Sequence, residues 1–286
     1  MSGKFLSSRG RPESLAGKVV FITGAAGGIA LATVEELALL GAKTALIDRD
    51  QSTLETIVEQ LPGDHLGIVA DVGDYSSLQD AVARTVEHFG AIDVVFACAG
   101  IGSASTVAAS DIEALTRIID INLCGVMRTV KACLEEVTKS QGYVLLMSSA
   151  AALKNVPRAN AYAASKAGVE AFGGALRLEL AHKGVAVGVA HPAWVSTGMI
   201  SGSNARGAES RSLPWPFSVV SSTKECAGHL VGAMEHRKRK VFIPGALALF
   251  DPLRWLSTGP LWDKFMASRA RRNVTAWEAT LAPTSS

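Results

Sequence analysis

Tyr162 and Lys166 stand four residues apart in Tyr162-Ala163-Ala164-Ser165-Lys166, a spacing that puts a phenol and an ammonium on one helix face, one turn apart. A phenol titrates near about 10 in water and exchanges its proton near neutrality only where positive charge stabilises the anion. Lys166 can supply that charge. Thirteen residues upstream, Ser149 ends an apolar run and offers a hydroxyl to a substrate oxygen. A Tyr-x-x-x-Lys pair alone is commonly just an exposed pair on a helix. With the serine, the set points to proton transfer at an alcohol or carbonyl oxygen.

A second cluster suits a phosphorylated ligand. Thr23-Gly24-Ala25-Ala26-Gly27-Gly28-Ile29-Ala30 follows an apolar run and leads into helical periodicity. Small residues there let backbone amides approach a pyrophosphate, and the helix N-terminus favours its charge. A glycine-rich turn also serves plain backbone geometry. Asp48, about 20 residues on, ends the second apolar run, where a carboxylate can accept from an adenine ribose and repel a 2′-phosphate. Arg49 beside it would attract that phosphate if it turned inward. NAD is therefore favoured over NADP. Asp48 and Asp71 could instead be ordinary strand-end or helix-capping acids.

These groups need a scaffold of alternating strands and helices. Apolar, β-branched runs at 19–23, 44–48, 65–71, 94–98, 143–148, 185–190 and 240–243 read as strands covered on both faces. Helical periodicity fills 28–40, 52–60, 76–89, 111–138, 160–182 and 223–235. The expectation is one α/β domain, a Rossmann-like, doubly wound, seven-stranded parallel sheet. Its span is 18–245, after a mobile arm at 1–17 and before an extension at 246–286.

Composition narrows the partners. Hydrophobic residues make up 48% against 19% charged, the balance of a packed globular chain, and a net charge of +2 gives no footprint for nucleic acid. Cys98, Cys124, Cys133 and Cys226 form no Cys-x-x-Cys pair. Neither zinc nor a disulfide framework is indicated, and a reducing cytoplasm fits. No uninterrupted apolar run reaches the roughly 20 residues of a membrane span, and the first residues lack a secretory apolar core.

Taken in order, the turn at 23–30, Asp48, Asp71-Val72, Ala99-Gly100, Asn122-Leu123 with Gly125, Ser149, Tyr162, Lys166 and the stretch from Pro192 to Thr197 resemble the short-chain dehydrogenase/reductase family over about 18–244. The resemblance implies that Tyr162 transfers the proton, Ser149 holds the substrate oxygen, and Lys166 binds the nicotinamide ribose and lowers the tyrosine pKa. Asn122 would hold a relay water. Gly24, Gly28, Ile29, Asp48 and Arg49 would meet the adenosine and pyrophosphate, Asp71 and Val72 the adenine. Ala99, Gly100 and Pro192 would line the cofactor, and Val195 and Thr197 would orient its carboxamide. It also implies a homodimer or homotetramer through the helices at 111–138 and 160–182. Ala30, Cys98 and Ala193 depart from the family's glycine, asparagine and glycine.

Two segments break the alternation. A lid at about 198–222 holds Met199, Ile200, Leu213, Trp215, Pro216 and Phe217. It would suit a bulky apolar alcohol or ketone, lipid- or steroid-like, or else pack on its own core. The extension is rich in Leu, Phe and Trp and lies near the basic run 237–240. It could touch a membrane surface, but Pro252 and Pro260 should interrupt a long amphipathic helix, which favours packing on protein. Two other functions remain open: a non-catalytic, cofactor-sensing scaffold, and a membrane-surface module built on the extension.

Overall fold

Alternation of side chains along buried strands sorts the core of this protein into two layers. The computed structural model describes residues 12–102, 105–197, 213 and 215–279. Its strands are β1 (Val19–Thr23), β2 (Lys43–Asp48), β3 (His65–Val69), β4 (Val94–Ala97), β5 (Tyr143–Met147), β6 (Ala186–Pro192), β7 (Trp194–Val195), β8 (Val220–Ser221) and β9 (Lys240–Ile243). Seven of them form one parallel sheet in the order β3-β2-β1-β4-β5-β6-β9. Each run expected to be a strand lies in this sheet, its ends shifted by no more than two residues.

In β1, Val20 and Ile22 enter one core while Phe21 enters the other. Helices α1 (Gly28–Leu39) and α2 (Gln51–Gln60) cover the first face with Val34, Leu37 and Leu54. Helix α3 (Tyr75–Phe89) covers the second with Leu78. Asp50 and Asp74 cap α2 and α3 by accepting from Thr53 N at 3.1 Å and Ser76 N at 2.9 Å.

The long helix expected at 111–138 is three pieces: α4 (Ile112–Ile119), a π turn (Asp120–Cys124) and α5 (Gly125–Lys139). The wide turn carries Asn122, fully buried and hydrogen-bonded across to Ile101. Such turns recur where a helix must aim a functional side chain. Helix α6 (Asn160–Leu180) follows β5 and a short 3-10 turn (Ala150–Leu153), and α7 (Thr223–Glu235) leads into β9. The short parallel pair β7–β8, absent from the sequence expectation, joins Trp194 and Val195 to Val220 and Ser221.

The extension forms a 3-10 turn (Gly245–Phe250), α8 (Arg254–Thr258) and α9 (Pro260–Ala279). Pro260 opens a 20-residue helix instead of interrupting one, because a proline in the first turn forfeits no helical hydrogen bond. A third apolar cluster joins Leu213 and Phe217 of the lid to Leu247, Trp262 and Met266 of the extension. Residues 1–11 of the expected mobile arm, and Met199 and Ile200 of the lid, lie outside the described residues. The inner end of the arm is packed: Leu15 is 4% exposed, and Glu13 N donates to Glu235 O at 2.8 Å.

Candidate active site

Strand order reverses between β1 and β4, and in such sheets the crevice beyond the C-terminal strand ends is where ligands bind. A cleft of about 510 Å³ opens there. The glycine turn after β1 forms one end of it. Gly24 has φ +72°, and a Cβ on it would lie 2.6 Å from Ala99 Cα; one on Gly28 would lie 3.2 Å from Thr197 Cγ2. Only glycine keeps this cradle open, which fits a dinucleotide pyrophosphate. Ala30, in place of the family's third glycine, is buried in the apolar core, where its methyl is accommodated.

Asp48 closes over the turn. Its Oδ2 accepts from Ala26 N at 3.0 Å and its Oδ1 from Arg49 N at 2.7 Å. It therefore holds the cradle in shape rather than capping a helix. The Arg49 guanidinium lies 3.6 Å from Asp71 Oδ2, and both side chains are well exposed. Asp71 Oδ1 accepts from Gly73 N at 2.8 Å, and Val72 packs where a Cβ on Gly125 would lie 2.8 Å from its Cγ2.

The rest of the cleft is lined by Gly100, Ser149, Tyr162, Lys166 and Pro192, with Val195 and Thr197 in the same lining as Gly28 and Ile29. Asn122, Ala99, Arg49, Asp71 and Val72 stand outside this lining, Asn122 directly behind it. Lys166 is buried, donates from Nζ to Met147 O at 2.8 Å, and sits 5.8 Å from the centroid of the Tyr162 ring. Burial brings its ammonium down to about 8. The Cys98 thiol is pushed up to about 12 by desolvation, so it stays protonated and unreactive.

The first turn of α6 is held by a relay of hydrogen bonds. Asn122 Oδ1 accepts from Ile101 N at 2.7 Å, and its Nδ2 donates to Ile101 O at 2.9 Å and Ser165 Oγ at 3.2 Å. Ser165 Oγ in turn donates to Tyr162 O at 2.7 Å. Both amide hydrogens of Asn122 are thus committed, leaving only acceptor capacity for a water. Ser149 Oγ accepts from Ala151 N at 3.1 Å and donates to Pro192 O at 3.4 Å, which fixes it at the strand end.

Sequence reasoning missed two features here. Lys154 and Arg158 also line the cleft. The available signal was a lone lysine directly after Ala150-Ala151-Ala152-Leu153. The extension, moreover, is strapped to this same segment. Arg254 donates to Ala152 O and pairs with Glu170 at 3.1 Å; Ser257 Oγ donates to Leu153 O; Trp262 Nε1 donates to Asn155 O at 2.7 Å. No local pattern announces contacts across a hundred residues.

Comparison with known proteins agrees with this geometry. The family model described as short chain dehydrogenase matches residues 18–207. The peroxisomal 2,4-dienoyl-CoA reductase of Saccharomyces cerevisiae is 37% identical over 193 residues, 65% of this chain and 66%, just under two thirds, of that enzyme. A dehydrogenase/reductase SDR family member 7B of Mus musculus is 28% identical over 89% of this chain and 81% of its own. A putative ketoacyl reductase of the Streptomyces violaceoruber granaticin polyketide synthase is 34% identical over 66% of this chain and 71% of its own. The crystal structure of gox2181 superposes with a TM-score of 0.72 at 26% identity, covering 82% of this chain and 97% of that one. Among the described residues no helix is long and apolar enough to cross a membrane. With the glycine cradle, the serine, tyrosine and lysine of one cleft and the matched sequence in agreement, the chain belongs to the short-chain dehydrogenase/reductase family, whose members are oxidoreductases using NAD(P).

Proposed function

We propose that this protein is an NAD(H)-dependent oxidoreductase that interconverts a secondary alcohol and a ketone, with Tyr162 passing the proton. The observation that carries this reading is the Lys166 ammonium 5.8 Å from the Tyr162 ring, in a cleft that Ser149 shares. Bound NAD(H) supplies or accepts the hydride. Positive charge beside the phenol favours its anion and brings the proton within reach of exchange. The Ser149 hydroxyl, turning from its long 3.4 Å bond to Pro192 O, would donate to the substrate oxygen and fix the carbonyl against Tyr162. Asn122 offers a relay water its remaining acceptor capacity.

Gly24, Gly28 and Ile29 would receive the pyrophosphate, Asp48 the adenine ribose, and Asp71 and Val72 the adenine. Ala99, Gly100 and Pro192 would flank the cofactor, with Val195 and Thr197 at its carboxamide. NAD is favoured over NADP because the Asp48 carboxylate sits on the turn itself, while Arg49 is drawn toward Asp71. The substrate body is apolar and bulky, supported by Ala150, Ala151, Val156, Pro157 and Trp194 in the cleft lining. Ile112, Met127 and Leu178, exposed on the helices α4, α5 and α6, support assembly into a dimer or tetramer. Four free cysteines fit a reducing compartment, the cytoplasm.

The test is NADH and NADPH consumption across aliphatic, aromatic and steroid ketones, repeated with Tyr162→Phe. Turnover with NADH that disappears in the variant is expected. Turnover that survives in Tyr162→Phe would overturn the reading.

A further inference from the structure

Lys154 is a buried cation for which nothing in the proposed chemistry has a use. It is 6% exposed, at the end of the 3-10 turn that begins beside Ser149. Among the described residues no carboxylate pairs with it, and its Nζ lies over the face of Phe217, 4.2 Å from the ring centroid. A ring face offsets only part of the cost of removing an ammonium from water. Burial accordingly brings this lysine down to about 7.

The surroundings carry the same sign. Lys154 and Arg158 both line the cleft on the side of Ser149, and the single acid in the described lining, Asp48, sits over the glycine turn. An apolar pocket with a poorly compensated ammonium is short of one negative charge. The four-residue 3-10 turn Ala150–Leu153 lies between Ser149 and Lys154, both of which are extended, and sets them at its opposite ends. The missing charge therefore belongs several bonds from the carbon whose oxygen Ser149 would hold.

We infer that Lys154 is a specificity residue that receives a carboxylate carried by the substrate, making the preferred substrate an apolar keto acid or hydroxy acid. This rests on the oxidoreductase reading for the identity of the reacting group, but not for the anion pocket itself. A compact ammonium on a flexible stem suits a single carboxylate as a point charge. The strap from Arg254, Ser257 and Trp262 holds the segment that presents Lys154, so the charge is fixed in place.

The probes are aryl ketones ending in a carboxylate, from β-benzoylpropionate to δ-benzoylvalerate, each compared with its methyl ester. Their dissociation constants are measured by calorimetry on the full chain, with and without NADH, alongside steady-state turnover. At least one acid should bind more tightly than its ester by about 10-fold or more, the scale of a charged hydrogen bond. Lys154→Gln should collapse that ratio toward one, and Lys154→Arg should restore much of it, which a merely structural lysine would not do. Equal binding of every acid and ester, or a ratio unchanged in Lys154→Gln, overturns the inference and leaves the oxidoreductase reading standing. Preferential, Lys154-dependent binding of acids with no NADH consumed would sink the oxidoreductase reading alone.

Discussion

Lys166 and Tyr162 are kept 5.8 Å apart, ammonium to ring centroid, by a helix whose first turn is tied through Ser165 and Asn122 to the loop after β4. The phenol is thus positioned before any substrate arrives. Tyr162→Phe removes the exchangeable proton while keeping the ring. Turnover should fall by about 10²–10⁴-fold, the usual scale for a general acid or base. NADH binding, followed by fluorescence, should persist.

Cofactor choice should respond to Asp48. Replacing it with serine removes both the charge facing a 2′-phosphate and the acceptor for Ala26 N. The ratio of kcat/KM with NADH to that with NADPH should fall by roughly 10-fold or more. An unchanged ratio would show that the adenine ribose is read elsewhere.

Gly24→Ala tests the cradle. The new methyl would sit 2.6 Å from Ala99 Cα on a residue at φ +72°, so the turn must move. A loss of about 1–3 kcal/mol in stability by denaturant titration is expected, with NADH affinity reduced as well.

The pH dependence of stability should expose Lys154. Burial holds it down to about 7 in the folded chain, against about 10.4 when unfolded. Between those values the unfolded chain binds more protons, so this lysine makes stability rise with pH across that window. Below about pH 7 both states carry the proton, and the cost of burying the charge is felt in full. Lys154→Met should therefore be more stable than the parent by roughly 2–4 kcal/mol near pH 6, and the gap should shrink as pH approaches about 10. A gap that stays constant with pH would mean that the lysine keeps its proton.

Arg254→Ala cuts the strap at its bond to Ala152 O and its pair with Glu170. A loss of about 1–3 kcal/mol is expected from the freed buried carbonyl. If the segment 152–155 meets the substrate as proposed, KM should rise more than the affinity for NADH falls, because the strap touches that segment and not the glycine turn.

Periodicity revealed the sheet because strands such as β1 and β5 are buried along their whole length and read as unbroken apolar runs. The glycine turn, Ser149, Tyr162 and Lys166 were legible because their chemistry depends on short spacings. The π turn was not, since the hydrogen bonds that accompany it join Asn122 to Ile101, a contact between distant segments. Pro260 misled for a similar reason: a proline reads alike whether it ends a helix or opens one. Lys154 passed unnoticed because a lysine near a turn is ordinarily solvated, and only the packing of Phe217 above it reveals otherwise.

The strap has a modular consequence. The family match ends at residue 207, and α8 and α9 lie beyond it, yet they grip the segment 152–155 beside Ser149. On the proposed reading, the glycine turn is built within the matched stretch, while the segment that would meet the substrate lies in it but is braced from outside it. Exchanging the last forty or so residues between related chains would be a route to new selectivity that leaves the inherited hydride machinery untouched.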